Sequence, residues 1–193
     1  MRSRRPPILL IIFLIVVALF LYHHRYGVVA RVRVLMNVKP PANVRTFLEA
    51  GQHLPAVQLT SLGGQRLSVT PQPGHVLYLN VFTTWCPECK KETPALEELR
   101  KATKAMPVDI VGVDQEEEIA TVSQFVQDYG LTYPVLIDDG GVTHSLMDVR
   151  YIPTSFIVDS RGTVRARITG ALTLAQMEQA VNMVLRGKKI AIQ

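Results

Sequence analysis

The sequence predicts an α/β domain with a mixed sheet flanked by helices, and three observations predict it. Short β-branched and aromatic runs alternate with amphipathic helical stretches, which is typical of parallel strands joined by helices. The last two strand patterns are separated only by Asp159-Ser160-Arg161-Gly162, a turn that predicts an antiparallel hairpin. The chain has 193 residues, which is enough for one domain of ordinary size plus an appendage.

The strands are predicted from short apolar or alternating runs bounded by turn residues. An N-terminal hairpin is expected at Val57–Thr60 and Arg66–Val69, which flank a Gly-Gly turn. The other expected strands are Val76–Phe82, Val108–Val113, Pro134–Asp138, Thr154–Val158 and Val164–Thr169. The first of these five is almost continuously apolar, as expected of a strand that is buried on both faces.

Three helices are predicted from apolar residues at helical spacing. The first is expected at Glu88–Ala105, with a kink at Pro94. The second is expected from about Glu116 to Tyr129 and is ended by Gly130. The last, Thr173–Arg186, is amphipathic and closes the domain.

The N-terminal segment has the features of a membrane anchor. Ile8 to Tyr22 is an uninterrupted apolar run of 15 residues with arginines before and after it. A span needs roughly 17–25 apolar residues, and flanking arginines that reach the headgroups make a short span workable. A cleaved signal peptide or a buried helix is the alternative, but the run ends without the small residues of a cleavage site. We expect a transmembrane signal-anchor over residues 1–25, a juxtamembrane linker over 26–49 and the folded domain over 50–193.

The basic residues are concentrated in the same N-terminal segment. Residues 1–46 hold eight Arg or Lys and no Asp or Glu, so the remainder carries 13 basic and 16 acidic residues. A nucleic-acid partner is therefore disfavoured. Because Arg2, Arg4 and Arg5 precede the apolar run, the N-terminus is expected in the cytoplasm and the domain on the extracytoplasmic side of the membrane.

The chemistry is predicted at Trp85-Cys86-Pro87-Glu88-Cys89, after a buried strand and at the start of a helix. This spacing lets the two sulfurs meet across one helical turn. Free amides at a helix start favour an anion, so we expect the Cys86 thiolate to be stabilised below the free-thiol pKa of roughly 8.5. Cys89 is expected to lie nearer the buried surface and to stay protonated longer. Cys86 would then attack a substrate disulfide, and Cys89 would resolve the mixed disulfide.

The residues between the cysteines bear on the helix start. Pro87 suits the first helical position, where its missing N–H costs nothing. The charge of Glu88 suits a helix start but repels a neighbouring thiolate, and Lys90 and Lys91 could offset part of that repulsion. The sign of the net effect on the thiol pKa stays open.

Other uses of a cysteine pair fit the sequence less well. Zinc needs about four ligands, and the five histidines do not have finger spacing. Covalent haem attachment needs His directly after the second Cys, where the chain has Lys90. Thr83 would suit a peroxidatic Cys86, but Leu79 stands where peroxiredoxins have Pro, and a structural disulfide would close a loop too short to stabilise much. No metal or cofactor is expected, since the redox group would be the Cys86–Cys89 pair itself.

A strand, Trp85-Cys86-x-x-Cys89-Lys90, a helix with Pro94 and a later Tyr151-Ile152-Pro153-Thr154 together resemble the thioredoxin superfamily. More narrowly, they resemble the membrane-anchored TlpA/ResA-like thiol-disulfide oxidoreductases over about residues 50–187. The resemblance implies a cis-proline at Pro153 that faces the cysteines and exposes the Ile152 backbone to a substrate strand. A trans proline that opens a strand is the alternative. The inner dipeptide is Pro-Glu where ResA-like members commonly have Glu-Pro, so the redox potential stays open.

The resemblance also singles out polar positions near the pair. Asn80 stands where thioredoxin has a buried Asp, so a proton carrier would be missing there. Glu117 lies near where the ResA-like branch has an acidic residue that could tune the thiols or accept the Cys89 proton. Three neighbours could take that role instead: Asp114, Glu116 and Glu118. A solvated acidic helix start is the alternative. Trp85 is expected to shield the sulfurs or merely to pack.

We therefore expect a membrane-anchored thiol-disulfide oxidoreductase that reduces protein disulfides outside the cytoplasm. The resemblance implies apocytochrome c disulfides as one substrate class, in cytochrome c maturation, with electrons from a membrane thiol carrier. The N-terminal helix would contact lipid. A disulfide oxidase that uses the same residues, a thiol peroxidase and a non-catalytic anchored binding module remain the alternatives.

Overall fold

The computed structural model describes residues 45–47 and 52–187. The expected transmembrane helix in residues 1–25 and most of the expected linker over 26–49 lie outside these described residues. None of the helices in the described part is long and apolar enough to cross a bilayer.

The described residues form strands and helices that alternate along most of the chain. The strands are β1 (Arg45–Phe47), β2 (Val57–Ser61), β3 (Arg66–Val69), β4 (Val76–Phe82), β5 (Val108–Gln115), β6 (Val135–Asp138), β7 (Thr154–Val158) and β8 (Val164–Thr169). The helices are α1 (Pro87–Ala102), α2 (Ile119–Asp128), α3 (Val142–Ser145) and α4 (Leu174–Leu185).

One mixed sheet joins all of these strands in the order β1-β8-β7-β4-β5-β6-β2-β3. Strands β4, β5 and β6 are parallel. The other neighbours are antiparallel, including the N-terminal hairpin of β2 and β3 and the hairpin of β7 and β8. The mixed α/β sheet and both hairpins predicted from the sequence are therefore confirmed.

Strand β4 is the centre of the fold, and all seven of its residues are buried. Tyr78 and Phe82 belong to a core cluster with residues of α1, α2 and α4, whereas Leu77, Leu79 and Val81, on the opposite face of the strand, belong to a second cluster with residues of β2 and of the loop before β7. Each face thus contributes to its own hydrophobic core. This packing fixes the carboxyl end of β4, from which the cysteine motif follows.

Two helix boundaries differ by three residues from the sequence prediction, and the other boundaries of the predicted helices differ by one. Helix α1 ends at Ala102 instead of Ala105. Helix α2 begins at Ile119 instead of Glu116, because Glu116 has a positive φ of 64°, which no α-helix contains. The strand before it is correspondingly longer and runs to Gln115.

Two short elements were not predicted. Strand β1 lies within the segment expected to be a linker, and it pairs with β8, which would otherwise have a free edge. Helix α3 has only four residues and begins where the Asp138 carboxylate accepts hydrogen bonds from the backbone N–H groups of Val142 and Thr143, at 2.8 and 2.7 Å. Both elements depend on tertiary or capping contacts more than on periodicity.

Gly112 in β5 gives a test of this core. A Cβ at Gly112 would lie 3.2 Å from ring atoms of both Phe82 and Tyr133 and 3.4 Å from Val135, and all three side chains are buried. We expect Gly112→Ala to destabilise the domain by about 1 to 3 kcal/mol through overpacking, measured by urea unfolding. The matched control is Gly140→Ala, where the nearest atom would be 4.0 Å away. Equal stability of the two variants would contradict this packing.

Candidate redox site

The cysteine motif is built at the junction of β4 and α1. Cys86 is the N-cap residue of α1, with φ −71° and ψ 120°, and Pro87 follows as the first helical residue. The backbone N–H of Cys89 donates a hydrogen bond to the Sγ of Cys86 at 3.3 Å. The sulfur of Cys86 thus occupies the place that a Ser or Asp oxygen takes in an ordinary N-cap, at the end of the helix that favours an anion.

Both thiols are buried, and Cys89 is the more deeply buried of the two. Cys89 is 1% exposed, and burial, the hydrogen bond with Cys86 and the nearby Glu92 charge raise its pKa well above the ordinary value. This raised pKa agrees in direction with the expectation that Cys89 holds its proton. Cys86 is only 5% exposed, so it is less open to solvent than the outer thiol that the sequence led us to expect.

The loop before β7 covers Cys86. The Ile152–Pro153 peptide bond is cis, as the resemblance implied, and Pro153 is buried. The Cys86 thiol lies 4.0 Å from the carbonyl oxygen of Ile152 and is oriented to donate to it. The loop is anchored by Gly170, whose N–H donates to the Pro153 carbonyl at 2.9 Å. The low exposure of Cys86 follows from this cover.

Two exposed aromatic side chains belong to the segments that meet at this contact. Trp85, next to Cys86, is 65% exposed, and Tyr151, next to Ile152, is 74% exposed. An exposure this large means that most of the Trp85 side chain is not packed against the domain. Both rings are therefore available to a partner that approaches the cysteines.

The charge of Glu88 is paired on the surface. The Lys91 ammonium lies 2.5 Å from a Glu88 carboxylate oxygen, one turn away on α1. This is the partial offset that the sequence suggested for Lys91. Because both side chains are exposed, the pair is worth little to stability.

Glu117 contacts the loop that carries the cysteines. Its carboxylate accepts hydrogen bonds from the backbone N–H of Thr84 at 2.5 Å and from the Thr84 hydroxyl at 2.7 Å. Burial alone would raise the pKa of Glu117, but the contacts with Asp114 and Thr84 outweigh it and hold that pKa below its ordinary value. The ionised Glu117 carboxylate thus fixes the position of Thr84, just before Trp85 and Cys86.

Asp114, a second acidic residue that the sequence offered for this role, is fully buried next to Glu117. One of its carboxyl oxygens accepts the backbone N–H of Glu117 at 3.0 Å. Burial, followed by the adjacent Glu117 carboxylate, raises the pKa of Asp114 to about 8. Asp114 therefore stays protonated at neutral pH and leaves Glu117 as the ionised member of the pair.

The structure adds an acid that the sequence analysis missed. Glu92 lies one turn after Cys89 on α1 and is 2% exposed. Its two carboxyl oxygens accept hydrogen bonds from the Asn80 amide at 3.0 Å and from the backbone N–H of Leu172 at 2.9 Å. Burial is the main cause that raises the pKa of Glu92 to about 7. The neutral Asn80 side chain cannot carry a proton, but its hydrogen-bond partner Glu92 on α1 provides a buried carboxyl group that can.

A helical-spacing argument could have found Glu92. It shares the buried face of α1 with Cys89, Leu96 and Leu99, at intervals of three or four residues. A carboxyl among apolar positions on the face that carries the second cysteine is a candidate for function.

Comparison with known proteins agrees with this geometry. The family model described as Redoxin matches residues 49–183. The thiol-disulfide oxidoreductase ResA of Bacillus thuringiensis subsp. konkukian (strain 97-27) is 34% identical over 137 residues, which are 71% of this chain and 79% of the relative.

Solved structures give the same assignment. StoA from Bacillus subtilis aligns with a TM-score of 0.56 and 27% identity, over 72% of this chain and 98% of StoA. A secreted Mycobacterium tuberculosis disulfide oxidoreductase described as homologous to E. coli DsbE aligns with a TM-score of 0.59 and 25% identity, over 66% and 95% of the two chains. The chain therefore belongs to the Redoxin family, as a thioredoxin-like thiol-disulfide oxidoreductase with a Cys-x-x-Cys pair.

Proposed function

We propose that the protein is a protein-disulfide reductase in which Cys86 attacks and Cys89 resolves. The observation that carries this proposal is the asymmetry of the pair. The Sγ of Cys86 accepts a backbone N–H at the helix start, whereas Cys89 is deeply buried and has a raised pKa. This difference determines the order in which the two sulfurs react.

In the first step the Cys86 thiolate attacks one sulfur of a substrate disulfide. A bond forms between Cys86 and that sulfur, the substrate S–S bond breaks, and the other substrate sulfur leaves as a thiolate that takes a proton from water. The Ile152 carbonyl beside Cys86 and the exposed Trp85 and Tyr151 would receive the backbone and side chains of an extended substrate.

In the second step Cys89 attacks the sulfur of Cys86. Its proton passes to Glu92, which is ionised in part near neutral pH because its pKa is about 7. The Cys86–Cys89 disulfide forms, the mixed disulfide between Cys86 and the substrate breaks, and the second substrate sulfur leaves as a thiolate that takes a proton from water. Two electrons have then moved from the protein dithiol to the substrate, and a dithiol donor must reduce the protein again. An oxidase would run the same steps in reverse.

The location and the substrate belong to the same proposal. We place the domain on the extracytoplasmic side of a membrane, held by the apolar N-terminal run, with a membrane thiol carrier as electron donor and cytochrome c maturation as one setting. The arginine cluster before that run supports the orientation. The secreted Mycobacterium tuberculosis oxidoreductase supports an extracytoplasmic site for this type of domain.

Trapping of the mixed disulfide tests the roles of the two cysteines. Cys89→Ser should accumulate a stable adduct through Cys86 when mixed with a peptide disulfide, because the resolving thiol is gone. Cys86→Ser should form little adduct, because Cys89 is buried and protonated. Intact-protein mass spectrometry counts the adduct. Adduct formation in Cys86→Ser but not in Cys89→Ser would reverse the assignment. Rapid consumption of hydrogen peroxide by Cys86, without disulfide exchange, would favour the peroxidase.

The stability of Glu92→Gln as a function of pH tests the buried carboxyl. The pKa of Glu92 is raised from 4.5 to about 7 by folding, so the unfolded chain binds fewer protons in that interval. Wild-type stability should therefore fall, relative to Glu92→Gln, as the pH rises through this range. The difference in stability between the two proteins should change by roughly 3 kcal/mol between about pH 4.5 and about pH 7.

Chemical unfolding at several pH values measures this difference. Glu98→Gln is the control, because it removes the same charge from an exposed position of α1. It shows how much of the effect comes from the change in net charge alone. Parallel stability curves for wild type and Glu92→Gln would contradict the raised pKa.

A further inference from the structure

A buried amide connects three elements of the redox site. Asn80 lies in the middle of β4, and its side-chain Nδ2 donates two hydrogen bonds, to Glu92 Oε2 on α1 and to Ser155 Oγ on β7, each at 3.0 Å. Asn80, Glu92 and Ser155 are all buried. Both hydrogens of one amide group are therefore used, and the strand that follows Pro153 is connected with the helix that carries the cysteines.

These contacts fix the position of the Glu92 carboxyl group. One oxygen is held by Asn80 and the other by the N–H of Leu172. Ser155 in turn holds the amide, so that Asn80 cannot rotate away without losing its second acceptor. A long side chain that would otherwise have several rotamers is thus kept on the Cys89 side of its helix.

A neutral amide is also the chemically suitable partner at this position. It donates to a carboxylate, and this hydrogen bond favours the ionised form that burial disfavours. An acidic residue at position 80 would instead place two carboxyl groups against each other, and one of them would have to stay protonated.

We infer that Asn80 and Ser155 are positioning residues that hold Glu92 as the acceptor of the Cys89 proton. This inference rests on the proposed function, because it concerns the resolving step. Within the described part of the chain, neither Asn80 nor Ser155 forms a side-chain hydrogen bond with Cys86 or Cys89. Their effect is exerted through Glu92.

The other titratable groups that face Glu92 do not titrate near neutral pH. They are Cys89 on α1, Tyr78 on β4 and Tyr133 before β6. Burial is the main cause that raises the pKa of each of these three groups above its ordinary value. Because Asp114 also titrates in this region, with a pKa of about 8, loss of the inflection in Glu92→Gln is the result that assigns it to Glu92.

The experiment measures how fast the full-length protein resolves a glutathione adduct on Cys86, as a function of pH. In wild type the rate should rise with an inflection near the pKa of Glu92, about 7. Asn80→Ala removes a donor to the carboxylate, so we expect the inflection to move up by about one pH unit and the rate at pH 7 to fall about fivefold. Ser155→Ala should also raise the pH of the inflection, by less than Asn80→Ala does.

Two further variants make the test decisive. Thr132→Ala removes the hydroxyl that donates at 2.8 Å to Glu97, another buried carboxylate of α1, and should leave the inflection in place. In a Glu92→Gln background, which should lack the inflection, Asn80→Ala should cause no further loss of rate.

The possible results separate this inference from the proposed function. If Glu92→Gln abolishes the inflection while Asn80→Ala and Ser155→Ala leave it unchanged, the positioning role is wrong and the role of Glu92 stands. If Glu92→Gln itself keeps the wild-type profile, the proton acceptor of the proposed function is wrong. Should Asn80→Ala fail to fold, Ser155→Ala alone decides, with an unchanged inflection overturning the inference.

Discussion

The redox site depends on one hydrogen bond, the bond from the backbone N–H of Cys89 to the sulfur of Cys86. It makes Cys86 the cap of α1 and sets the two thiols one helical turn apart in different surroundings. The central strand β4 fixes where this cap lies, because its seven residues are packed on both faces. The loop that contains Pro153 then covers the cap, with the Ile152 carbonyl 4.0 Å from the sulfur. A thiol exchange site arises where these three elements meet.

Carboxyl groups contact the site on two sides. Glu117, backed by the protonated Asp114, holds the segment before Cys86 through Thr84. Glu92 lies behind Cys89 and is held by groups of β4 and of the loop before α4. The two acids differ in protonation, since hydrogen bonds keep Glu117 ionised whereas burial brings Glu92 close to half-protonation at neutral pH. One charge therefore has a structural use, and the other is available for proton transfer.

Features encoded by local spacing could be predicted from the sequence, and features that depend on distant contacts could not. The strand Val76–Phe82 was predicted with the observed bounds because its apolar run is bounded by turns. The cis bond before Pro153 was expected only through the family resemblance. The role of Glu92 was not predicted, although its spacing from Cys89 places it on the buried face, because its hydrogen-bond partners Asn80 and Leu172 lie 12 and 80 residues away in the sequence. The contact of Glu117 with Thr84 spans 33 residues and leaves no periodic signal. The expected membrane anchor lies outside the described residues and stays a prediction.

The protonation of Cys89 is the central claim, since it decides which sulfur attacks. Thiolate ultraviolet absorbance of the Cys86→Ser variant, followed between about pH 6 and 10, measures it directly, because Cys89 is then the one remaining cysteine of the sequence. Burial is the largest cause of its raised pKa and is retained in this variant, so the absorbance should not rise across that range. A rise centred near the ordinary thiol value of about 8.5 would contradict the account.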